Sequence, residues 1–198
     1  MIESILKTGY EKILRIFYDN KYDKVHLRDI ARRTKLNENS ASRFLNKLFT
    51  LKILAYEKEG NLKKYFIKKN NLVFIIFSLF DIERFDKLSI LRKNAVTYFL
   101  DKLEEQPIIA VLFGSTAKGN YSEDSDIDIL LIVNKKIKTE KTEKYVNSQT
   151  GMHVNCIQIT YRDFINELRL KQDRVIQSAL YSGYSLTNHI KYYSELLK

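Results

Sequence analysis

Two short runs in this 198-residue chain combine residue types that do phosphate and metal chemistry. The first is Phe113-Gly114-Ser115-Thr116-Ala117-Lys118-Gly119. The second, beyond a short polar loop, is Ser125-Asp126-Ile127-Asp128, continued by Ile129, Leu130, Leu131, Ile132 and Val133. The apolar run from Ile108 to Phe113 predicts a strand that ends in a Gly-Ser turn and delivers Ser115 to a helix start, where unpaired backbone N–H groups favour a triphosphate. Gly114 and Gly119 let the backbone approach such a ligand. Asp126 and Asp128 stand two apart at the start of a second predicted strand. Period-two alternation then turns both carboxylates to one sheet face, roughly 7 Å apart along the backbone. Oxygen ligands so placed suit Mg²⁺, or Mn²⁺ in its stead. A Walker-type phosphate loop is excluded, because its second glycine must be followed by Lys and then Ser or Thr, whereas Asn120-Tyr121 follow Gly119.

The segment GSTAKGNYSEDSDIDILLIV resembles the nucleotidyltransferase superfamily with the DNA polymerase beta-like fold, and within it the minimal nucleotidyltransferases. These carry a Gly-Ser turn, a second Gly, a variable loop and then Ser-Asp-Ile-Asp with aliphatics behind it. The resemblance covers about twenty residues directly and, through the strands, Ile108 to Thr160. It implies transfer of a nucleoside monophosphate from an NTP to an acceptor hydroxyl. Gly114, Ser115 and Gly119 would hold the nucleotide, and Asp126 and Asp128 the metal. The family's third carboxylate lies in a Val-Asp-aliphatic segment of a later strand. Here that segment reads Val154-Asn155-Cys156-Ile157, so Asn155 stands at the third-carboxylate position. Asn still offers a carbonyl oxygen but carries no charge and cannot act as a general base. Asp163 and Glu143 are the nearest other acids, and neither falls on the strand. Lys118 either adds charge at the phosphates or is simply solvated, the second being preferred.

The charge of the chain is lopsided. Lys and Arg number 34 against 24 acids, a formal +10, and 17 of the bases with only 8 of the acids lie in residues 1–70. An excess of +9 in the first third predicts a polyanion-binding module joined to a near-neutral one. Ile2, Leu6, Tyr10, Ile13 and Phe17 recur at helical spacing and predict a helix from Ile2 to Tyr18. A second helix is expected over Leu27 to Thr34. A third begins after Asn37 as N-cap, with Ala41, Phe44, Leu45 and Leu48 on its inner face. Its outer face carries Asn39, Ser40, Ser42, Arg43, Asn46 and Lys47. A two-stranded hairpin follows, Ile53 to Tyr56 and Lys63 to Ile67, around a turn from Glu57 to Leu62 that contains Gly60.

That order resembles winged helix-turn-helix DNA-binding domains, with Glu38 to Leu51 as recognition helix and Lys58, Lys63 and Lys64 on the wing. The resemblance implies double-stranded DNA as a partner. Protein docking is the competing use of such a module, and the basic face argues against it.

Leu72 to Phe80 is almost wholly apolar, but nine residues are too few to span a bilayer. With Ile82, Phe85, Leu88, Leu91, Ala95, Tyr98, Phe99 and Leu103 it predicts two helices, or one broken helix, between the modules. A homodimer interface and plain packing against the domains both account for them. Pro107 suits the boundary before the first sheet strand. Cys156 is the lone cysteine, and no secretory apolar region follows Met1, so a cytoplasmic location is the default. His26, His153 and His189 show no metal spacing. Beyond an exposed stretch from Lys135 to Thr150 and an alternating strand from Met152 to Thr160, helices are expected at Tyr161 to Lys171 and Asp173 to Tyr181.

The expectation is therefore an α+β chain: a winged helix over 1–70, a helical linker over 71–106, and a nucleotidyltransferase fold over 107–198 with a mixed sheet flanked by helices. Two functions stay open. One is an active transferase, its acceptor a partner protein as in antitoxins of this family, or another hydroxyl. The other is a silent domain serving a transcriptional regulator as nucleotide sensor or dimerisation body.

Overall fold

The computed structural model describes residues 9–197. The chain divides into two compact units, one running to Phe74 and the other covering Ile75–Leu196. Ile2 and Leu6 lie outside the described residues.

In the first unit, helix α1 (Gly9–Asp19) buries Ile13 and Phe17 of the predicted stripe, leaves Tyr10 half-buried, and buries Leu14 and Ile16 in addition. A two-residue strand β1 (Val25–His26) leads into α2 (Leu27–Thr34). Helix α3 (Glu38–Thr50) starts at Asn37, whose side chain accepts a hydrogen bond from the Ser40 N–H at 2.8 Å. Such a cap typically contributes about 1 kcal/mol. Ala41, Leu45 and Leu48 are fully buried, while Phe44 is only half-buried.

Strands β2 (Leu54–Glu59) and β3 (Leu62–Ile67) form the hairpin, and β1 adds to the other edge of β3. The expected six-residue turn is a two-residue loop. Glu59 pairs with Leu62, and Gly60 takes φ +58° between them, a conformation that only glycine adopts without strain and that the tight hairpin requires.

In the second unit a four-stranded mixed sheet has the order β6-β5-β4-β7. Strand β4 (Ile109–Phe113) runs antiparallel to β5 (Ile127–Val133), which pairs in parallel with β6 (Val154–Thr160); β7 (Tyr184–Ser185) completes the far edge. All five residues of β4 and six of the seven in β5 are buried. Continuous aliphatic runs suit strands covered on both faces.

The segment expected as a linker forms α4 (Asn71–Asp86) and α5 (Ile90–Asp101), and from Ile75 onward it belongs to this unit. Leu88, Ala95, Val96, Phe99 and Leu103 share one core with Ala110, Leu112, Ile129 and Leu131 of the sheet. An apolar helix face beside an apolar sheet is removed from water by packing on it. Ile82, Leu91 and Tyr98 stay substantially exposed instead of joining that face.

Among the described residues, five further helices belong to the unit: α6 (Gly114–Lys118), α7 (Glu140–Thr150), α8 (Tyr161–Leu170), α9 (Arg174–Ser182) and α10 (His189–Leu196). Among the described residues no helix is long and apolar enough to cross a membrane.

Candidate functional site

The register of the sheet brings the predicted residues into one row. Phe113 at the end of β4 pairs with Asp128 on β5, and Asp128 pairs with Asn155 on β6. Gly114 follows Phe113 directly and takes φ +69° as α6 begins. A Cβ at Gly114 would collide with the Asp128 carboxylate, so the turn and the acid touch because the residue there is glycine. Phe113 occupies the N-cap position and offers no side-chain acceptor to the first N–H groups of α6. Ser115 is half-buried in that turn and Lys118 is exposed. Gly119 closes the helix in the left-handed conformation at φ +73°.

Asp126 lies one residue before β5 and is exposed, Ile127 is fully buried and Asp128 is half-buried. Buried Ile127 separates the two acids, the pattern expected where both carboxylates turn away from the core. Asn155 donates from Nδ2 to Asp128 Oδ1 at 2.9 Å, so an uncharged amide stands against the acid. Glu143 sits on α7. Asp163 sits on α8 and accepts a hydrogen bond from Thr160 Oγ1 at 2.6 Å, so neither acid is on β6.

Among the described residues no cluster of three or more His, Cys, Asp or Glu could hold a metal. The donor set at the turn is two carboxylates, all oxygen, and that fits a hard cation whose remaining ligands are phosphate oxygens and water. Cys156 on β6 follows Asn155 and is half-buried. Burial, and then the Glu143 charge, push its thiol up to about 12 against a weaker opposing hydrogen bond from Thr139, and the neutral thiol is a poor nucleophile.

Two residues to which sequence reasoning gave no role tie the turn to the loop before Asp126. Arg92 on α5 is 1% exposed and donates to Thr116 Oγ1 at 2.8 Å and to the carbonyls of Ser122 and Ser125, both at 2.9 Å. Thr116 in turn donates to the Asp126 carbonyl at 3.2 Å. The signal was present: Arg92 lies in helical phase with Leu88, Ala95 and Phe99, a cation on an apolar face.

In the first unit, Asn39, Arg43, Asn46 and Lys47 of α3 are exposed, and Ser40 and Ser42 are half-buried on the same outer face. A groove of about 600 Å³ is lined by Ser42 and Asn46 of α3, Arg28 of α2, and Asn61 and Lys63 of the hairpin. Arg43, Lys47 and Lys58 lie outside it. Lys58 is exposed and stands opposite Lys63 across the hairpin. Lys64 is tied to Glu59 at 2.7 Å and so is less available to a phosphate than Lys58 or Lys63.

Residues 93–182 match the family model for the nucleotidyltransferase domain, which supports membership of the nucleotidyltransferase superfamily for this part of the chain. A relative from Methanocaldococcus jannaschii, provisionally named a protein adenylyltransferase, is 34% identical over 55 residues, which are 28% of this chain and 52% of the relative. The chain thus spans about half the length of that curated relative. A solved structure described as a toxin-antitoxin with AMP-PNP aligns over 51% of this chain and 79% of its own at 18% identity, with a TM-score of 0.38, too loose a likeness to assign a partner.

Glycine at position 114 gives a direct test of the geometry. Gly114→Ala is expected to lower stability by more than ~1 kcal/mol, since a positive φ alone costs an L-residue about that much, and to displace the Asp128 carboxylate. Gly151→Ala shares φ +69° but meets nothing within 4 Å, and so serves as the control. Thermal unfolding of both should show the larger loss at Gly114; equal losses would mean that the turn and the acid are not in contact.

Proposed function

We propose that the second unit transfers a nucleoside monophosphate from an NTP to an acceptor hydroxyl. The observation that carries this reading is the row formed by the uncapped Gly114-Ser115 turn, Asp128 and Asn155. Backbone N–H groups after Gly114, with the Ser115 hydroxyl, bind the β and γ phosphates. Such donors are set before the substrate arrives and need no reorganisation. Asp126 and Asp128 are the residues that would hold Mg²⁺, which when bound neutralises charge along the triphosphate. The acceptor oxygen attacks the α-phosphorus, the bond to the bridging oxygen of the β-phosphate breaks, and pyrophosphate leaves. The acceptor proton passes to solvent, since Asn155 cannot take it.

The name of the archaeal relative points to ATP as donor and a protein side chain as acceptor. Mass spectrometry of candidate acceptor proteins after incubation with the chain, Mg²⁺ and each NTP should find the nucleoside monophosphate adduct. Asn155 favours a second reading, in which the unit binds nucleotide with little turnover and signals its occupancy.

The first unit is proposed to bind duplex DNA as a winged helix. The order helix, strand, helix, helix, hairpin supports this, as do the exposed polar face of α3 and the +9 excess. Arg43 and Lys47, one turn apart on α3, would meet phosphate, and Arg43 also has the fork to read a guanine. In the full chain, affinity for duplex DNA is expected to fall steeply with salt. The double variant Arg43→Ala, Lys47→Ala should flatten the slope of log K against log salt by about two units. Salt-independent binding, or none at low salt, would assign this unit to protein docking.

A further inference from the structure

Arg92 is among the largest fully buried side chains of the described residues and carries a charge that no sequence motif accounts for. Its recorded partners among the described residues are one hydroxyl and three backbone carbonyls, those of Ser122, Glu123 and Ser125, with no carboxylate. The Tyr121 ring lies over the guanidinium at 4.1 Å. A buried charge without a counter-ion is costly, and hydrogen bonds must satisfy its donors if it is to persist. Here Nη1 and Nη2 are so engaged, and each bond ends on the same two pieces of chain: the helix that starts at the Gly-Ser turn, and the loop that leads into Asp126.

We infer that Arg92 is a positioning residue for the nucleotide site, a clamp that sets the phosphate-binding turn and Asp126 in one fixed relation. The inference rests on the proposed nucleotide-binding role of that site. Thr116 is the hinge of the clamp. Its hydroxyl, fully buried, accepts from Arg92 and passes its own proton to the Asp126 carbonyl, so the chain of two bonds runs from α5 through α6 to the backbone of the acid. Meanwhile the second guanidinium nitrogen gathers the carbonyls of Ser122 and Ser125 and so ties the two ends of the loop together. A planar fork reaches these divergent acceptors at once; an ammonium on a flexible stem is a single point. The buried cation also adds positive potential beneath the turn where a triphosphate would sit, screened little by solvent.

The test uses the full chain and two variants, Thr116→Val, which keeps the shape and removes the hydroxyl, and Arg92→Lys, which keeps the charge and removes the fork. Amide hydrogen exchange over residues 115–126 without nucleotide is expected to accelerate about tenfold or more in both, while exchange in β5 beyond Ile129 stays as in the wild type. Affinity for Mg²⁺-ATP is expected to fall about tenfold in both. Phe164→Leu, a core change on α8, which takes no part in these contacts, should bind Mg²⁺-ATP as the wild type does even where its melting temperature drops as far as that of Thr116→Val. Unchanged exchange over 115–126 in Thr116→Val overturns the clamp, as does a loosened loop with undiminished affinity. A wild type that binds no nucleotide overturns the reading of the site instead, and the exchange experiment still decides whether Arg92 orders the loop.

Discussion

Replacing Asp126 and Asp128 together by alanine is expected to abolish the response of the chain to Mg²⁺-NTP. A ligand present at one hundred times its Kd stabilises the native state by about 2.7 kcal/mol. For a unit of this size that raises the melting temperature by roughly 10 °C. The double variant should show no such rise and no saturable heat in calorimetry. Its fold without nucleotide should be little changed. Asp126 is exposed, and the recorded side-chain bond of Asp128 is the one it accepts from Asn155. Ser115→Ala is expected to weaken binding by less, because the backbone N–H groups of the turn remain. A double variant that binds Mg²⁺-NTP as tightly as the wild type would place the site elsewhere and remove the basis of the proposed transfer.

The parts of the fold that local chemistry specifies were legible in the sequence. Asn37 announced the start of α3, the aliphatic runs announced β4 and β5, and Gly-Ser followed by Asp-Ile-Asp marked the turn and the strand that bring Gly114 against Asp128. Strands β1 and β7 were not legible. Each has two residues, and such short segments have no periodicity to read; they are strands only because β3 and β4 present an edge to them. The helices over 71–106 were legible as helices, yet their role was not, because an apolar face has the same sequence whether it meets a second chain or its own sheet. Arg92 lay outside the motif logic altogether. Motifs are found by contiguity, and its acceptors begin 24 residues downstream, at Thr116.

Asn155→Asp is expected to raise the rate of nucleotidyl transfer by roughly 10²-fold or more when a competent acceptor is present, from a wild-type rate that is slow or undetectable. The magnitude follows from the usual cost of missing general-base assistance, about 10²- to 10⁴-fold. The pairing of Asp128 with Asn155 across β5 and β6, and the 2.9 Å contact of the amide with Asp128, set the new carboxylate directly beside that of Asp128. Two carboxylates at that distance repel, so without a cation the variant should be less stable than the wild type or hold one acid protonated. Mg²⁺ should restore it. The melting temperature of Asn155→Asp is therefore expected to depend on Mg²⁺ more steeply than that of the wild type, a readout that needs no acceptor. Binding of Mg²⁺-NTP to the wild type should be intact, since Asp126, Asp128 and the Gly-Ser turn are all present. Rapid wild-type transfer that is indifferent to changes at Asn155 would show that another group takes the proton, and that this residue is no more than a hydrogen-bond donor to Asp128.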